Sequence, residues 1–272
     1  MLRHTFCHLP GIGTATERAL WAAGVRDWDD AQREPRLLSR VGDLAPRAAA
    51  TAAAWAARDF TFFGRLLHGA QAWRWLPDLR GRAVYLDIET TGLSPERDLV
   101  TVVACYDGRE VVTFVRDDNL TELPSWLLDH DLLVTYNGAT FDVPFLRAAF
   151  PHLWLPPVHL DLRYPLAALG LRGGLKAIEQ ATGLGRDTDL LVIDGFAAVL
   201  LWQRHETGDA RALPTLLRYC AEDVLGLEPL AELVYNRRIA DLPLGLPPLA
   251  TTPRRRCDLP WHPALLAEMG LA

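Results

Sequence analysis

AVYLDIETTG, residues 83–92, is the stretch whose reading decides the fold. Ala83 to Glu89 is short, apolar and rich in β-forming residues, so it reads as a strand. Asp87 and Glu89 stand two apart in it, and strand alternation puts both carboxylates on one face. Ala83, Val84, Leu86 and Ile88 surround them, so that face is expected to be otherwise apolar. Two carboxylates on a half-buried strand repel, and ionising both there is costly. A divalent cation resolves the conflict, and an oxygen-rich site suits Mg²⁺ or Mn²⁺ better than zinc. An Asp-x-Glu pair at a strand end can also simply meet water. The next three residues are more specific: Thr90-Thr91-Gly92 reads as a tight turn with two hydroxyls beside the acids.

Working outward, LVTVVACY (99–106) and EVVTFV (110–115) read as two more strands, joined through Asp107-Gly108-Arg109. Asp-Gly is a strong hairpin signal. DLLVTY (131–136) is a fourth strand and VHLDL (158–162) a fifth. Helices are expected from about Asp142 to Phe150, Leu175 to Thr182, Asp194 to Arg204 and Ala210 to about Arg237. A hairpin followed by alternating strands and helices indicates an α/β domain, a mixed sheet flanked by helices. Asp142 ends Asn137-Gly138-Ala139-Thr140-Phe141-Asp142, directly off the fourth strand. Its ordinary role is to cap the next helix, and from there it can also reach the first acid pair. Tyr219 and Asp223, at i and i+4 of a helix, share one face. By themselves they are also consistent with a surface pair.

In this order, DIETTG (87–92), NGATFD (137–142) and YCAED (219–223) resemble the three motifs of the DEDD 3′→5′ exonuclease superfamily, whose fold is ribonuclease H-like. The resemblance is closer to the YprB-like ribonuclease H-like family. It includes YNGATFDVPFL (136–146), GGLKAIEQ (173–180) and the LPGIG…TERALW segment (9–21), and covers about residues 5 to 240. One branch of the superfamily has a histidine five residues before the last aspartate, where this chain has Arg218. The other has a tyrosine four before it, and this chain has Tyr219. His159 and His205 are accordingly read as structural or surface residues.

The resemblance implies phosphodiester hydrolysis with two divalent ions, Mg²⁺ or Mn²⁺, held by Asp87, Glu89, Asp142 and Asp223. Asp87, Glu89 and Asp223 would hold the ion carrying the attacking water. Asp87 would bridge to the second, with Asp142 reaching it directly or through water. Such a pair stabilises both attacking and leaving oxygens. Tyr219 would orient the water, since a phenol at neutral pH is a hydrogen-bonding group rather than an efficient base. Thr90, Thr91, Asn137 and Phe141 are candidates to hold the terminal nucleotide, Phe141 by stacking, although Phe141 equally suits a core position. The resemblance also implies a role in DNA repair beside a helicase partner.

The first eighty residues read differently. LPGIGTATERALWAAGV places a Gly-Ile-Gly hairpin before an amphipathic helix, with Thr14 or Thr16 as its cap. Asp43 and Pro46 lead into an alanine-rich helix ending near Asp59, and Trp73-Arg74-Trp75-Leu76-Pro77 reads as a connector. Pro10-Gly11-Ile12-Gly13 resembles the hairpin of a helix-hairpin-helix element. There Gly11 and Gly13 let the backbone approach a phosphate, and the helix N-terminus presents amides to it. Arg40-Val41-Gly42-Asp43 is a candidate second copy. The alternative is a packing unit that binds nothing. We therefore divide the chain into a helical unit at 1–80, a ribonuclease H-like domain at 81–242 and a C-terminal tail at 243–272.

Bulk properties narrow the classes. A net charge of −6 argues against a protein that coats nucleic acid non-specifically. Residues 1–80 carry eleven Arg and eight acids, a net of +3, which leaves −9 for the rest. An acidic body with a slightly basic appendage suits an enzyme that collects cations and holds phosphates. The four cysteines lack CxxC spacing and read as free thiols; Cys7-His8 with Cys257 and His262 does not match structural zinc spacings. No apolar stretch is long enough to span a bilayer and the start has no signal-peptide core, so a cytoplasmic protein without a membrane partner is expected. Nucleic acid is the expected partner. DNA is favoured by family analogy, while RNA and a non-catalytic binding module stay open.

Overall fold

The computed structural model describes residues 1–33, 44–64, 66–67, 69–185 and 195–270. The candidate second hairpin at 40–43 and the expected helix start at Asp194 lie outside the described residues. Among the described residues five strands form one sheet: β1 Ala83–Thr90, β2 Val100–Tyr106, β3 Val111–Val115, β4 Leu132–Thr135 and β5 Val158–Asp161, in the order β3-β2-β1-β4-β5. The pairs β1–β2 and β2–β3 are antiparallel, and β1–β4 and β4–β5 are parallel. The expected Asp-Gly hairpin joins β2 to β3. Gly108 takes φ +90°, and Asp107 Oδ1 accepts the amides of Arg109 and Glu110 at 2.8 and 2.9 Å, the arrangement that suits Asp and Gly to this turn.

The helices in chain order are α1 Thr14–Ala22, α2 Trp28–Arg33, α3 Leu44–Ala56, α4 Phe60–Gly64 and α5 Leu76–Leu79 before the sheet. Within and after it come α6 Leu123–Leu127, α7 Asp142–Ala149, α8 Arg163–Ala167, α9 Leu175–Thr182, α10 Gly195–Glu206, α11 Ala212–Ala240 and α12 Pro263–Glu268. Alternation along β1 divides the core in two. Val84, Leu86 and Ile88 face a smaller cluster with Leu123, Leu127, Phe145 and Leu146 of α6 and α7. Ala83 and Tyr85 face a larger cluster with Leu216, Val224 and Leu227 of α11. Asp87 and Glu89 share the alternation of Ala83 and Tyr85. The expected apolar surround therefore needs correcting: Val84, Leu86 and Ile88 lie on the far face. The acids look toward α11, which lies across β1 and β2 and is buried along most of its length.

The described residues among the first eighty are mainly helical, as expected, and their core is continuous with that of the sheet. Leu2, Phe6, Trp28, Phe63 and Trp75 belong to the same cluster as Val134 and Leu160. Trp73-Arg74-Trp75, expected as a connector, is instead fully buried in a 3₁₀ turn, Gly69–Trp75. Large aromatic surfaces favour burial over exposure in a linker. Arg74 is buried with a partner: Nη2 lies 2.7 Å from Glu17 Oε2, and both side chains are 2% exposed or less. Glu17 Oε1 also accepts the amides of Phe6 and Cys7 at 2.7 and 3.2 Å. Removing either partner would leave an uncompensated buried charge, a cost of about 3–5 kcal/mol. One expectation is corrected in α1. Its N-cap is Gly13 in extended backbone with no side-chain cap, and Thr14 is already helical. The Gly-Ile-Gly turn delivers the backbone carbonyl itself, with Glu17 N–H donating to Gly13 O at 2.9 Å.

Candidate active site

Asp87 and Glu89 emerge at the C-terminal end of β1. The register shifts between Glu89 and Thr90, so that Glu89 opposes Val102 and Thr90 opposes Val100. Such a bulge re-aims side chains at a sheet rim. The turn beyond is tightly closed: Thr90 Oγ1 donates to Gly92 O at 2.5 Å. A Cβ on Gly92 would stand 2.5 Å from the Asp98 carboxylate, so only glycine fits there.

The second motif leaves β4 through a loop pinned by Asp161, at the end of β5. Asp161 Oδ1 accepts the Asn137 amide at 2.8 Å, and Oδ2 accepts the Ala139 amide at 3.0 Å. Asn137 takes φ +68°, a left-handed conformation that asparagine tolerates better than most residues. Gly138 packs on Thr135 so closely that a Cβ there would clash with its side chain. The loop carries the chain into α7, whose N-cap is Phe141. Asp142, expected as the cap, is instead the first helical residue. It is buried, and its Oδ1 has no hydrogen-bond partner.

These pieces meet in one cavity of about 450 Å³. Its lining includes Asp87, Glu89, Asp142, Tyr219 and Asp223, together with Thr90, Thr91, Asn137 and Phe141. Gly11 and Gly13 are in the N-terminal unit and do not line it. The side-chain oxygen of Asn137 is already engaged, accepting from Thr140 Oγ1 at 2.8 Å and from Arg163. Phe141 does two things, lining the cavity while its ring packs 4.9 Å from that of Phe145. His159, bonded to Thr135 Oγ1, and His205, against Trp202, stay outside.

Several residues in or beside the cavity escaped the sequence reading. Leu93 and Phe196 are 86% and 67% exposed at the cavity rim, and nothing in their sequence context marks them as exposed. Cys220 is fully buried with Sγ 3.6 Å from Asp87 O and 3.8 Å from Asp87 Oδ2. The Lys176 ammonium lies 4.8 Å from the centroid of the Tyr219 ring.

The electrostatics of the pocket are those of crowded carboxylates. Burial pushes Glu89 well above the usual carboxylate range, and the charges of Asp223 and Asp142 push it further, while Lys176 opposes them. Asp142 is pushed up to about 7, first by burial and then by Asp161 and Asp223, against the pull of nearby backbone amides. Burial and the neighbouring carboxylates raise the Cys220 thiol. It is therefore a neutral hydrogen-bond donor to Asp87 rather than a thiolate. Asp87, Glu89 and Cys220 each offer a donor atom within 4.8 Å of the others. Oxygen donors dominate, and one buried carboxylate oxygen lacks a partner, so the set fits a hard divalent cation. No such group forms from Cys7, His8, Cys257 and His262 among the described residues.

A mixed 3-2-1-4-5 sheet with acids at the end of its central strand defines a ribonuclease H-like protein. Residues 84–235 match the family RNase_H_2 of the RNase_H superfamily, and the chain belongs to it. Among solved structures, it is similar to the family B DNA polymerase of the hyperthermophilic archaeon Pyrobaculum calidifontis, at 21% identity and a TM-score of 0.44 over 58% of this chain. The match spans 24% of the polymerase chain, about a quarter of its length. It is also similar to Brucella melitensis NrnC with bound Mg²⁺, at 25% identity and a TM-score of 0.41 over 61% of this chain and 77% of that one. The Aedes aegypti Nibbler EXO domain matches at 10% identity and a TM-score of 0.37, over 62% and 85% of the two chains. No curated protein matches the chain. Among the described residues no helix is long and apolar enough to cross a membrane.

The raised carboxyls have a measurable consequence. Glu89 and Asp142 keep protons in the folded protein that the unfolded chain releases near its ordinary carboxylate range. Their contribution to stability is therefore full below the ordinary carboxylate range and is lost as pH rises through their folded values, which for Asp142 is about 7. A cation that takes the place of those protons should restore stability, and increasingly so at higher pH. Saturating Mg²⁺ should raise the melting temperature by about 5 °C at about pH 8 and by much less at about pH 5.5. Thermal melts with and without Mg²⁺ check this; an equal gain at both pH values would contradict the assignment.

Proposed function

We propose that this protein is a metal-dependent 3′→5′ exonuclease acting on nucleic acid, with single-stranded DNA as the favoured substrate. The observation that carries this reading is the convergence of Asp87, Glu89, Asp142, Asp223 and Tyr219 on one cavity. The four carboxylates would hold two divalent ions, Mg²⁺ or Mn²⁺. When bound, the ions would lower the pKa of a water and neutralise charge on the phosphate. The protein's own share is positioning. Acids fixed by β1, α7 and α11, all but Asp87 of them buried, hold the donor oxygens still, the Cys220 thiol bonds to Asp87, and the Tyr219 hydroxyl orients the attacking water. Thr90, Thr91 and Phe141 line the place for the terminal nucleotide. At the rim the exposed Phe196 offers a ring on which a base can stack, and the exposed Leu93 adds apolar surface.

The same reading gives Tyr219 and Asp223 separable roles. Asp223→Ala should abolish hydrolysis and weaken Mn²⁺ binding. Tyr219→Phe removes one hydroxyl and no ligand, so turnover should fall by about 10²-fold or more with Mn²⁺ affinity nearly unchanged. Single-turnover kinetics paired with calorimetric Mn²⁺ titration would decide. Wild-type turnover in Asp223→Ala, or equal loss of metal affinity in both variants, would overturn the assignment.

Residues 1–80 supply the second half of the proposal, a phosphate-docking hairpin for longer or duplex-containing DNA. Gly11 takes φ +81°, and a Cβ on Gly11 or Gly13 would meet open space, so the backbone there is approachable. Gly13 is extended, with φ −92°, and accepts a side chain without strain, which makes Gly13→Val the cleaner test. It should weaken binding of such DNA and flatten the dependence of affinity on salt, because phosphate contacts release counterions. Equal affinity and equal salt slope in variant and wild type would leave the unit with a packing role only.

A further inference from the structure

Helix α9 packs on α11 and is held at both ends. At its start, the Gly173 carbonyl accepts the hydroxyl of Tyr136, a residue that lines the cavity. Further along, Glu179 is fully buried and lies so close to Gly226 of α11 that a Cβ there would clash with Glu179 Oε1. The tail closes the back of this contact. Arg254 Nη1 lies 2.7 Å from Glu222 Oε2, Nη2 donates to Glu222 O at 2.7 Å, and Nη2 is 3.9 Å from Glu179 Oε1. Glu222 is also paired with Arg218 at 2.9 Å. Buried charged pairs of this kind tolerate little displacement, because a shift leaves a charge without its partner. The register of α9 against the helix that carries Tyr219 and Asp223 is thereby set.

Lys176, in the first turn of α9, is where that bracing reaches the site. Its Nζ sits 4.8 Å from the centroid of the Tyr219 ring. A cation held over the face of a phenol is attracted by the ring quadrupole, most strongly where both are desolvated. Tyr219 is 7% exposed and Lys176 is partly buried. A tyrosine hydroxyl stands at the far end of its ring, so a small rotation of the ring sweeps it sideways. A misplacement of about 1 Å at a reacting group can cost about 10²-fold in rate.

We propose that Lys176 is a positioning residue: its ammonium clamps the Tyr219 ring so that the hydroxyl keeps its aim into the carboxylate cavity. This inference rests on reading that cavity as the hydrolytic site. The clamp explains why α9 is tied down by Tyr136 at one end and by Glu179 and Arg254 further on, since a loosely held helix would not fix its lysine.

The chain makes the test unusually clean, because Lys176 is its only lysine among 28 Lys and Arg residues. Lysine labelled with ¹³C and ¹⁵N therefore gives one set of ε-methylene signals by NMR. In the full-length protein the ring current of Tyr219 should displace them upfield of free lysine. The displacement should persist in Tyr219→Phe, which keeps the ring, and vanish in Tyr219→Leu. No displacement in the wild type, or one that survives Tyr219→Leu, overturns the clamp. A double-mutant cycle tests its purpose. Lys176→Met should lower kcat on the order of tenfold, with KM within about twofold. In a Tyr219→Phe background the same substitution should change kcat by less than about twofold, because there is no hydroxyl left to aim. Losses that multiply independently overturn the positioning role. A wild-type protein that cuts no nucleic acid would sink the proposed function, and the resonance would still decide the clamp.

Discussion

The structure is organised around carboxylates that cannot comfortably ionise together. Asp87 and Glu89 lie at the end of the central strand, on the face packed by α11, and Asp142 and Asp223 are brought to the same cavity from α7 and α11. In water such a cluster would cost little. In this cavity burial is the largest cause of the upward shifts of Glu89 and Asp142, and mutual repulsion adds to it. A sheet of this topology would be more stable with apolar residues at these positions. Crowded acids at the centre of an otherwise well-packed fold signal a ligand that compensates them. The chemistry of the donors, oxygen with one neutral thiol beside them, fits a hard divalent cation.

Everything around the cavity limits movement of those acids. The bulge at Glu89 and Thr90 ends the strand, Asp98 closes the following turn over Gly92, and Asp161 holds the loop before Asp142 by two amides. The N-terminal helices add to the same core rather than standing apart, through Trp73, Trp75 and the buried pair of Arg74 with Glu17. The tail reaches the back of the site through Arg254. Three stretches distant in sequence thus converge on the position of α11.

Local interactions are the ones a sequence reveals. The five strands, the Asp-Gly hairpin and the pairing of Asp87 with Glu89 were legible because strand alternation and turn chemistry act over two to four residues. Tyr219 and Asp223 were legible as a pair for the same reason, through helical spacing. Lys176 was not: its partner is on another helix, and only the docking of α9 on Gly226 brings them together. Asp161 read as an ordinary strand residue, because its two acceptor bonds go to a loop more than twenty positions away. Trp73-Arg74-Trp75 read as a linker because a buried arginine cannot be inferred without its Glu17. Asp142 read as a cap because that is what aspartate does at most helix starts; here burial beside the other acids prevails.

The central claim is that this carboxylate cavity cuts phosphodiester bonds from a 3′ end. The direct measurement is incubation of the purified full-length protein with 5′-labelled single strands of DNA and of RNA, with Mn²⁺ or Mg²⁺ and with chelator. The expected result is a descending ladder of labelled products shortened one nucleotide at a time, present with either cation and absent with chelator, with DNA the better substrate. Intact strands under every cation condition would contradict the claim, as would cleavage that survives chelation or release of the label as a mononucleotide in the first step.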